Sequence, residues 1–448
     1  MWRISFALVI VGLCVNTAAG LPGSGTQQDP WRIESLADFD EFAADANYWD
    51  DYTRLETDVN LAGRTYTNAV IAPDTNNSDW QFDGIDFMGV FDGNNHKITN
   101  LTIDDGGTGN DYLGLFGSIG EYGEVVNLGL EGGSVSGDEL VGGLAAMGSV
   151  SITKNCYFTG NVSGNWGVGG LVGVWSGNVE NCYFTGSVIG SWMVGGLLSG
   201  GGPGFISNCY STGDVNGVEV VGGLVGINGA LLISNCYSTS DVKGANDIGG
   251  LVGYNAGDGF LNQPGYIFNS YSTGSVHGTS YVGGLVGRNA YYGSVVLNCY
   301  STGSVSGYNY IGGLVGENYD DGIISNCYSI GDVNGVQYVG GLVGWNYQGG
   351  ISNNSFWDTD TQTHGVTESI GVDQGTTTNV SGLPTAQMQT RSTFTSAGWD
   401  FVEIWLINDG ATYPVLRQEI RSDLNGDGRV DFADFAIFAD HWLEGTGI

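Results

Sequence analysis

Acidic residues near the C-terminus are spaced for calcium chemistry. The stretch 423–434 reads Asp-Leu-Asn-Gly-Asp-Gly-Arg-Val-Asp-Phe-Ala-Asp. Oxygen-bearing side chains fall at positions 1, 3, 5, 9 and 12 of a twelve-residue calcium loop, with glycine at the turn and a backbone carbonyl available at position 7. The pattern predicts that Ca²⁺ is bound by the following residues: Asp423, Asn425, Asp427, Arg429 (through its carbonyl), Asp431 and Asp434. The alternative is an acidic turn that binds no calcium.

The segment after this loop has a helical apolar pattern. Phe435, Phe438 and Trp442 are spaced i, i+3 and i+7, which predicts a helix with one apolar face. Residues 421–448 are therefore predicted to form a small loop-helix calcium module.

Two carboxylates suggest a second kind of chemistry. Asp214 and Asp241 occupy equivalent positions of neighbouring repeats, and glycoside hydrolysis needs two carboxyl groups about 5 to 9.5 Å apart. If the repeats stack as adjacent strands, the pair lies near the lower limit of that range. Other repeats carry Asn161, Ser187 or Ser275 at this position, so an ordinary exposed repeat position is the competing interpretation.

Aromatic residues mark a candidate binding face. Two repeat positions vary while their neighbours are constant. This pattern is expected of a ligand-binding face on a rigid scaffold. One position holds Tyr281, Tyr310 and Tyr338 on consecutive repeats, and the other holds Val174, Ile227, Tyr254, Arg288, Glu317 and Trp345. Tyrosine rings can contact sugars by their faces, so Tyr281, Tyr310, Tyr338 and Trp345 are the candidate ligand-binding residues. Aromatic packing along the scaffold is the alternative.

An internal repeat must position all of these side chains. The tripeptide Asn-Cys-Tyr, or a close variant, recurs with spacings of 26 to 34 residues, and Gly-Gly-Leu keeps step with it. Within a repeat, short β-branched runs alternate with Gly, Asn and Asp, without a helical period. Repeats of this length without a helix predict an all-β fold: a right-handed parallel β-helix (β-solenoid) of about ten turns, each strand pairing with the same strand one turn along.

Stacking of equivalent residues explains two further repeat positions. The first is predicted to form an asparagine ladder bonded from turn to turn: Asn228, Asn255, Asn289, Asn318 and Asn346. The second contains six cysteines: Cys156, Cys182, Cys209, Cys236, Cys299 and Cys327. Stacked Cβ atoms lie about 4.8 Å apart, beyond the usual disulfide range. We therefore expect buried, reduced thiols.

The ends of the chain differ from the repeats. Residues 1–20 have the layout of a signal peptide. Residues 21–80 are predicted to be an N-terminal cap, 81–360 the solenoid repeats and 361–420 a C-terminal cap. A capping box from Ser35 to Asp38 predicts a capping helix with Leu36, Phe39 and Phe42 on its apolar face. The apolar patch 397–405 is predicted to cover the far end.

Composition excludes several classes of partner. The formal net charge is −35 and only 12 residues are Lys or Arg, which argues against nucleic acid because that affinity depends on cations that neutralise phosphates. No segment beyond the signal peptide approaches the length of a membrane span. We expect a secreted or extracellular monomer associated with a cell surface.

The repeats resemble the GLUG-motif proteins, a family of bacterial surface and secreted chains named for Gly-Leu-any-Gly. The similarity covers Phe91–Ile98, the Gly-Gly-Leu-Val-Gly repeats, Phe356–Thr359 and Gly382–Met388. The resemblance implies extracellular architecture. In some relatives the repeats accompany an immunoglobulin-cleaving metallopeptidase, but none of the four histidines here lies in a zinc-binding His-Glu-x-x-His pattern.

The C-terminal loop resembles a dockerin calcium repeat, of which a typical dockerin carries two. The resemblance implies a cohesin-like or other surface-protein partner. Phe432 and Ala433 replace the small hydroxyl residues often seen at the partner-recognition positions, which puts cohesin binding in doubt.

Together these features predict a non-catalytic scaffold, adhesive or ligand-displaying, with a glycan or protein ligand, Ca²⁺ as its only cofactor and a calcium-dependent attachment module. The alternative is a carbohydrate-active β-helix enzyme, a polysaccharide lyase or glycoside hydrolase. A groove that gathers Asp214, Asp241 and aromatic side chains would favour the enzyme.

Overall fold

The computed structural model describes residues 20–76, 80–258 and 262–417. They form a parallel β-solenoid of about ten turns, as the repeat predicts. The predicted signal peptide, except for Gly20, and the predicted calcium loop lie outside the described residues. In the part of the chain that is described, no helix is long and apolar enough to cross a membrane.

Each regular turn contributes strands at four positions, and each strand pairs in parallel with its equivalent one turn along. We number the four strand ladders in chain order within a turn. The first ladder contains the strands Glu139–Gly142, Trp166–Gly169, Trp192–Gly195, Glu219–Gly222, Asn246–Gly249, Ser280–Gly283, Asn309–Gly312 and Gln337–Gly340. The second contains Phe116–Ile119, Val225–Asn228, Val252–Asn255, Val286–Ala290, Val315–Tyr319, Val343–Asn346 and Ile370–Asp373. Three strands continue from the second ladder into the third: Ala145–Lys154, Val172–Glu180 and Leu198–Ser207.

The third and fourth ladders complete each turn. The third contains Trp31–Ile33, Tyr52–Leu55, Val90–Asp92, Glu124–Val126, Leu231–Ser234, Tyr266–Phe268, Val295–Leu297 and Ile323–Ser325. The fourth contains Val59–Asn60, Lys97–Asp104, Gly129–Ser136, Tyr157–Ser163, Tyr183–Ile189, Tyr210–Asn216, Tyr237–Ser238, Asp241–Lys243, Tyr271–Ser272, Val276–His277, Tyr300–Ser301, Val305–Ser306, Tyr328–Ser329 and Val333–Asn334. Two strands span both ladders: Ile351–Asp358 and Thr376–Leu383.

The Gly-Gly-Leu motif lies where the first ladder passes into the second. Its leucines, such as Leu171 and Leu285, are fully buried. A Cβ on Gly169 would overlap the carbonyl oxygen of Val172, and one on Gly170 would overlap that of Gly196. Close backbone approach, rather than a positive φ, therefore requires glycine at this corner.

Asparagine stabilises two separate corners. The predicted inner ladder is confirmed: Asn228 donates to Asn255 at 2.8 Å and Asn255 to Asn289 at 2.7 Å, all three fully buried. The asparagine of Asn-Cys-Tyr forms a second, outer ladder. Asn155 and Asn181, for example, both have φ of 53°, and the Asn181 amide donates to Asn155 at 3.1 Å. Asparagine tolerates this left-handed backbone, which would be strained for most other residues.

The cysteine column is buried and carries no disulfide, as predicted. Thiols of this column accept a backbone N–H from the turn before: the Cys156 N–H donates to Cys182 Sγ, the Cys182 N–H to Cys209 Sγ and the Cys299 N–H to Cys327 Sγ, each at 3.4 Å. Where the column holds serine, a hydroxyl takes the same role, since the Cys236 N–H donates to Ser270 Oγ at 3.1 Å. Burial raises the pKa of Cys182 and Cys209 well above the usual thiol value, which keeps them protonated and unreactive.

The segment predicted as the N-terminal cap contains a helix, α1 (Leu36–Ala44), followed by the 3₁₀ turn Ala46–Tyr48. Ser35 caps α1 by accepting from the Asp38 N–H. Phe39 and Phe42 are buried as predicted, but Leu36 is not, because it lies on the outer side of the first helical turn with 36% of its surface exposed.

The segment predicted as the C-terminal cap contains α2 (Thr385–Met388), α3 (Arg391–Ser396) and the antiparallel pair Trp405–Leu406 and Val415–Leu416. The patch 397–405 does pack against the solenoid, but not over its end. Trp399 and Trp405 join one cluster with Tyr300, Tyr328 and Phe356, which belong to three successive turns. The patch therefore covers the side of the last turns, because the fourth ladder presents an aromatic column there.

The cysteine column predicts different effects for two small substitutions. Cys209→Ser should be tolerated better than Cys209→Ala, because a hydroxyl can still accept from the Cys182 N–H whereas alanine leaves that buried donor unpaired, at about 1–3 kcal/mol. Chemical denaturation of both variants measures the difference. Equal destabilisation would show that the thiol acts only by filling space.

Candidate functional site

Aromatic rings from neighbouring ladders form one connected surface on the last turns of the solenoid. Ring centroids lie 4.6–6.3 Å from their neighbours throughout the set. We call this surface the aromatic face; it consists of Tyr254, Tyr281, Tyr291, Tyr292, Tyr310, Tyr319, Tyr338, Trp345 and Tyr347. The structure therefore brings all four predicted ligand-binding residues together.

Backbone conformation explains why two ladders meet here. Tyr281, Tyr310 and Tyr338 have φ of 56–57°, and this left-handed conformation recurs at their position on earlier turns. Their rings lie against side chains of the second ladder: the Tyr310 centroid is 4.9 Å from that of Trp345. The two variable positions seen in the sequence are thus one surface.

Stacking limits which ring faces a ligand can reach. Tyr281 and Tyr310 stack with an interplanar angle of 4°, and Tyr310 and Tyr338 with 13°, so neighbouring rings cover one another. Tyr338 ends the stack and is 43% exposed. Among the described residues Tyr310 is its only aromatic neighbour, so Tyr338 is the ring of this stack best placed for face contact. The binding role of these residues stays a prediction.

A charged triad lies inside the aromatic face. Arg288 forms ion pairs with Asp247 (Nη2 to Oδ1, 3.1 Å) and Glu317 (Nε to Oε2, 2.8 Å). Its guanidinium also lies 4.2 Å from the ring centroid of Tyr281 and 5.2 Å from that of Tyr254, which adds cation–π attraction. Glu317 is only 5% exposed. The triad therefore joins three turns through groups that are largely removed from water.

Burial shifts the titration of both carboxyl groups. It raises the pKa of Asp247 to about 6 and that of Glu317 to about 7, in each case against the opposing pull of Arg288. Burial disfavours the charge on Arg288 as well, but the two carboxylates outweigh it and the arginine pKa is raised. The single positive charge of Arg288 therefore offsets only part of the cost of ionising two buried carboxyl groups.

Asp214 and Asp241 lie elsewhere on the solenoid. They are paired in register on adjacent turns of the fourth ladder, and both are exposed. The Asp241 carboxylate accepts the N–H of Ser275 at 2.9 Å. The aromatic face belongs to the first and second ladders and the corner after them, so these two carboxylates are not part of it.

Several residues of the ladders were not predicted from the sequence. The tyrosines of Asn-Cys-Tyr form a stack of their own, with Tyr183 and Tyr210 at 4.9 Å and the column ending under the C-terminal cap. Asp247 was not predicted either. It occupies the position of Tyr281 one turn earlier and shares its left-handed backbone. The regular spacing of the Asn-Cys-Tyr tripeptide and of the Tyr281 position could have revealed both the tyrosine stack and Asp247.

The predicted calcium loop consists of residues that the structure does not describe. Asp423, Asn425, Asp427, Arg429, Asp431 and Asp434 all lie beyond residue 417. Within the described ranges, no three His, Cys, Asp or Glu side chains are grouped to hold a metal ion. Calcium binding therefore stays a prediction.

These features define a parallel β-solenoid protein. Segments 164–189, 278–306 and 307–334 match the family described as the GLUG motif. The chain is also similar to halomucin from Haloquadratum walsbyi (strain DSM 16790 / HBSQ001), with 35% identity over 155 residues; this covers 34% of the chain and 2% of halomucin. A Bacteroides ovatus crystal structure, provisionally described as an immunoglobulin A1 protease, aligns with 19% identity over 88% of this chain and 94% of that one, at a TM-score of 0.42.

The buried triad predicts a specific pH dependence. The raised pKa of Glu317 means that its contribution to stability is complete below about pH 4.5 and is lost as the pH rises through about 7. Lowering the pH from 8 to 5.5 should therefore raise the thermal midpoint, and Glu317→Gln should reduce that gain.

Thermal unfolding of the variant at both pH values, alongside the exposed cap variant Glu403→Gln, separates this effect from the general charge of the chain. The control should keep the wild-type dependence. The same loss of dependence in both variants would contradict a special role for Glu317.

Proposed function

We propose that this chain is a secreted or cell-surface, non-catalytic scaffold that displays the aromatic face to a ligand and is attached through its C-terminal calcium module. The observation that carries the proposal is the connected aromatic surface on a rigid parallel ladder. Rings held by neighbouring turns keep their places without a ligand, so binding loses little side-chain entropy. The ligand class is a glycan, since tyrosine offers an apolar ring together with a polar hydroxyl.

Two further observations support a surface role. The relative with 35% identity is called halomucin, a name that denotes a mucin. Residues 1–20 have the composition of a signal peptide. An acidic chain of net charge −35 also stays soluble and repels other acidic macromolecules.

The exposed end of the tyrosine stack should contribute to binding. Tyr338→Ala should weaken glycan binding about tenfold, because an aromatic contact of this kind is worth about 0.5–1.5 kcal/mol. The control is Tyr308→Ala, which removes a tyrosine that is 48% exposed and lies outside the face. A glycan array followed by affinity measurement checks the outcome; failure of the wild-type chain to bind any glycan would refute the adhesive function.

Catalysis remains the alternative function for the pair Asp214 and Asp241, which the ladder does hold in register. The same glycan incubations distinguish the two functions. A binding scaffold releases no oligosaccharide. Release that is abolished by Asp214→Asn or Asp241→Asn would establish the enzyme instead.

Calcium should bind the chain through the loop at 423–434. Four carboxylates and one amide lie within twelve residues, so their mutual repulsion is relieved by a cation. A single loop is expected to bind in the range of about 10⁻⁴ to 10⁻³ M, as extracellular modules do. Calorimetry should show heat for the wild-type chain and for Asp214→Ala, and little for Asp427→Ala. Equal heats from all three would remove the calcium assignment and the attachment role.

A further inference from the structure

A corner of the aromatic face has a left-handed backbone. Tyr291, Tyr292 and Gly293 follow the second ladder with φ of 64°, 54° and 71°. One turn later the same corner contains Asp320 and Asp321, with φ of 50° and 64°. Aspartate accepts this left-handed conformation readily, whereas a bulky aromatic residue does so at a cost of about 1–2 kcal/mol.

Packing covers only part of the two tyrosines. Tyr291 is 39% exposed and Tyr292 is 44% exposed. The Tyr291 ring contacts Tyr254 and Tyr319, at 6.3 and 5.7 Å, and so belongs to the face. Tyr292 contacts Tyr291 alone among the aromatic rings of the described chain. Tyr122 on an early turn has a similar backbone and is also exposed, so strain alone does not mark a site. The two tyrosines differ from Tyr122 because they adjoin the aromatic face.

The surrounding charges restrict the ligand. Asp320 and Asp321 adjoin Tyr319 in sequence, and Asp247 and Glu317 lie inside the face. Arg288 is the one cation of the triad, and it is already paired with both of those carboxyl groups. A uronate or sulfate group would therefore meet net negative charge. A ligand without charge avoids that repulsion.

We propose that Tyr291 and Tyr292 form the ligand-contacting edge of the aromatic face and that the ligand is a neutral polysaccharide. This inference rests on the proposed scaffold function and assigns its ligand class. Exposed ring surface binds the apolar faces of sugar residues, and the tyrosine hydroxyl groups bond to their hydroxyl groups. Because the face extends over successive turns, it suits several consecutive sugar units of one chain.

One substitution separates binding from folding. Tyr292→Asn places a residue suited to positive φ at the strained position, so the thermal midpoint should stay unchanged or rise. Affinity for neutral polysaccharides should fall about tenfold or more, equivalent to about 1.4 kcal/mol. The matched control is Tyr122→Asn: Tyr122 has φ of 66°, is 72% exposed and lies in the same corner of an early turn. It should gain the same stability and lose no affinity.

The probes are mannan, xylan and mixed-linkage β-glucan as neutral polysaccharides, and alginate and polygalacturonate as anionic ones, measured with the full chain. Binding of at least one neutral polysaccharide, with the loss confined to Tyr292→Asn, supports the site. Unchanged affinity of Tyr292→Asn overturns the site but leaves the scaffold function intact. Stronger binding of the anionic polysaccharides overturns the ligand class. No binding of any probe by the wild-type chain refutes the scaffold function as well.

Discussion

Parallel pairing of each turn with the next is the constraint on which the other features depend. Strands in such a ladder lie about 4.8 Å apart, and equivalent residues point the same way. Every residue therefore has its own equivalents as nearest neighbours. A residue type is stable in a column only if it packs against copies of itself. Asparagine, cysteine and tyrosine all satisfy that condition here. Asparagine side chains hydrogen-bond to one another, cysteine thiols accept from the neighbouring backbone, and tyrosine rings stack.

The same constraint separates the columns that repeat one residue from those that vary. A column that serves only to pack can repeat one residue, as the leucines of Gly-Gly-Leu do. The position of Tyr281 instead carries Met193, Val220 or Asp247 on earlier turns, although all of them share the left-handed backbone. Met193 and Val220 are buried there, so on the early turns the position serves packing. Tyr338, on the last turn, is 43% exposed, which leaves its ring open to contact with something outside the solenoid.

Sequence reasoning predicted the regular part of the fold well, because the register follows from the spacing of the repeat. The solenoid, the asparagine ladder and the reduced cysteines all depend on register alone. It failed at contacts between different ladders. The position of Trp405 beside Tyr300 and the ion pairing of Asp247 with Arg288 require the path of the backbone around a corner, which spacing within one column does not reveal. Leu36 was misplaced because a short helix exposes part of a face that looks uniformly apolar.

Stacking also determines how charges are arranged. In the second ladder, Arg288 and Glu317 are adjacent in register and partly buried. Unit charges about 4 Å apart interact by about 4 kcal/mol at an effective dielectric constant of 20, so a neighbour of like sign would be strongly unfavourable there. In the fourth ladder, Asp214 and Asp241 are adjacent and of like sign, but both are exposed. Water reduces such an interaction to about 1 kcal/mol, so the pair is tolerated without a cation. The same register therefore excludes adjacent like charges on one face and permits paired aspartates on another, and solvent exposure decides between them.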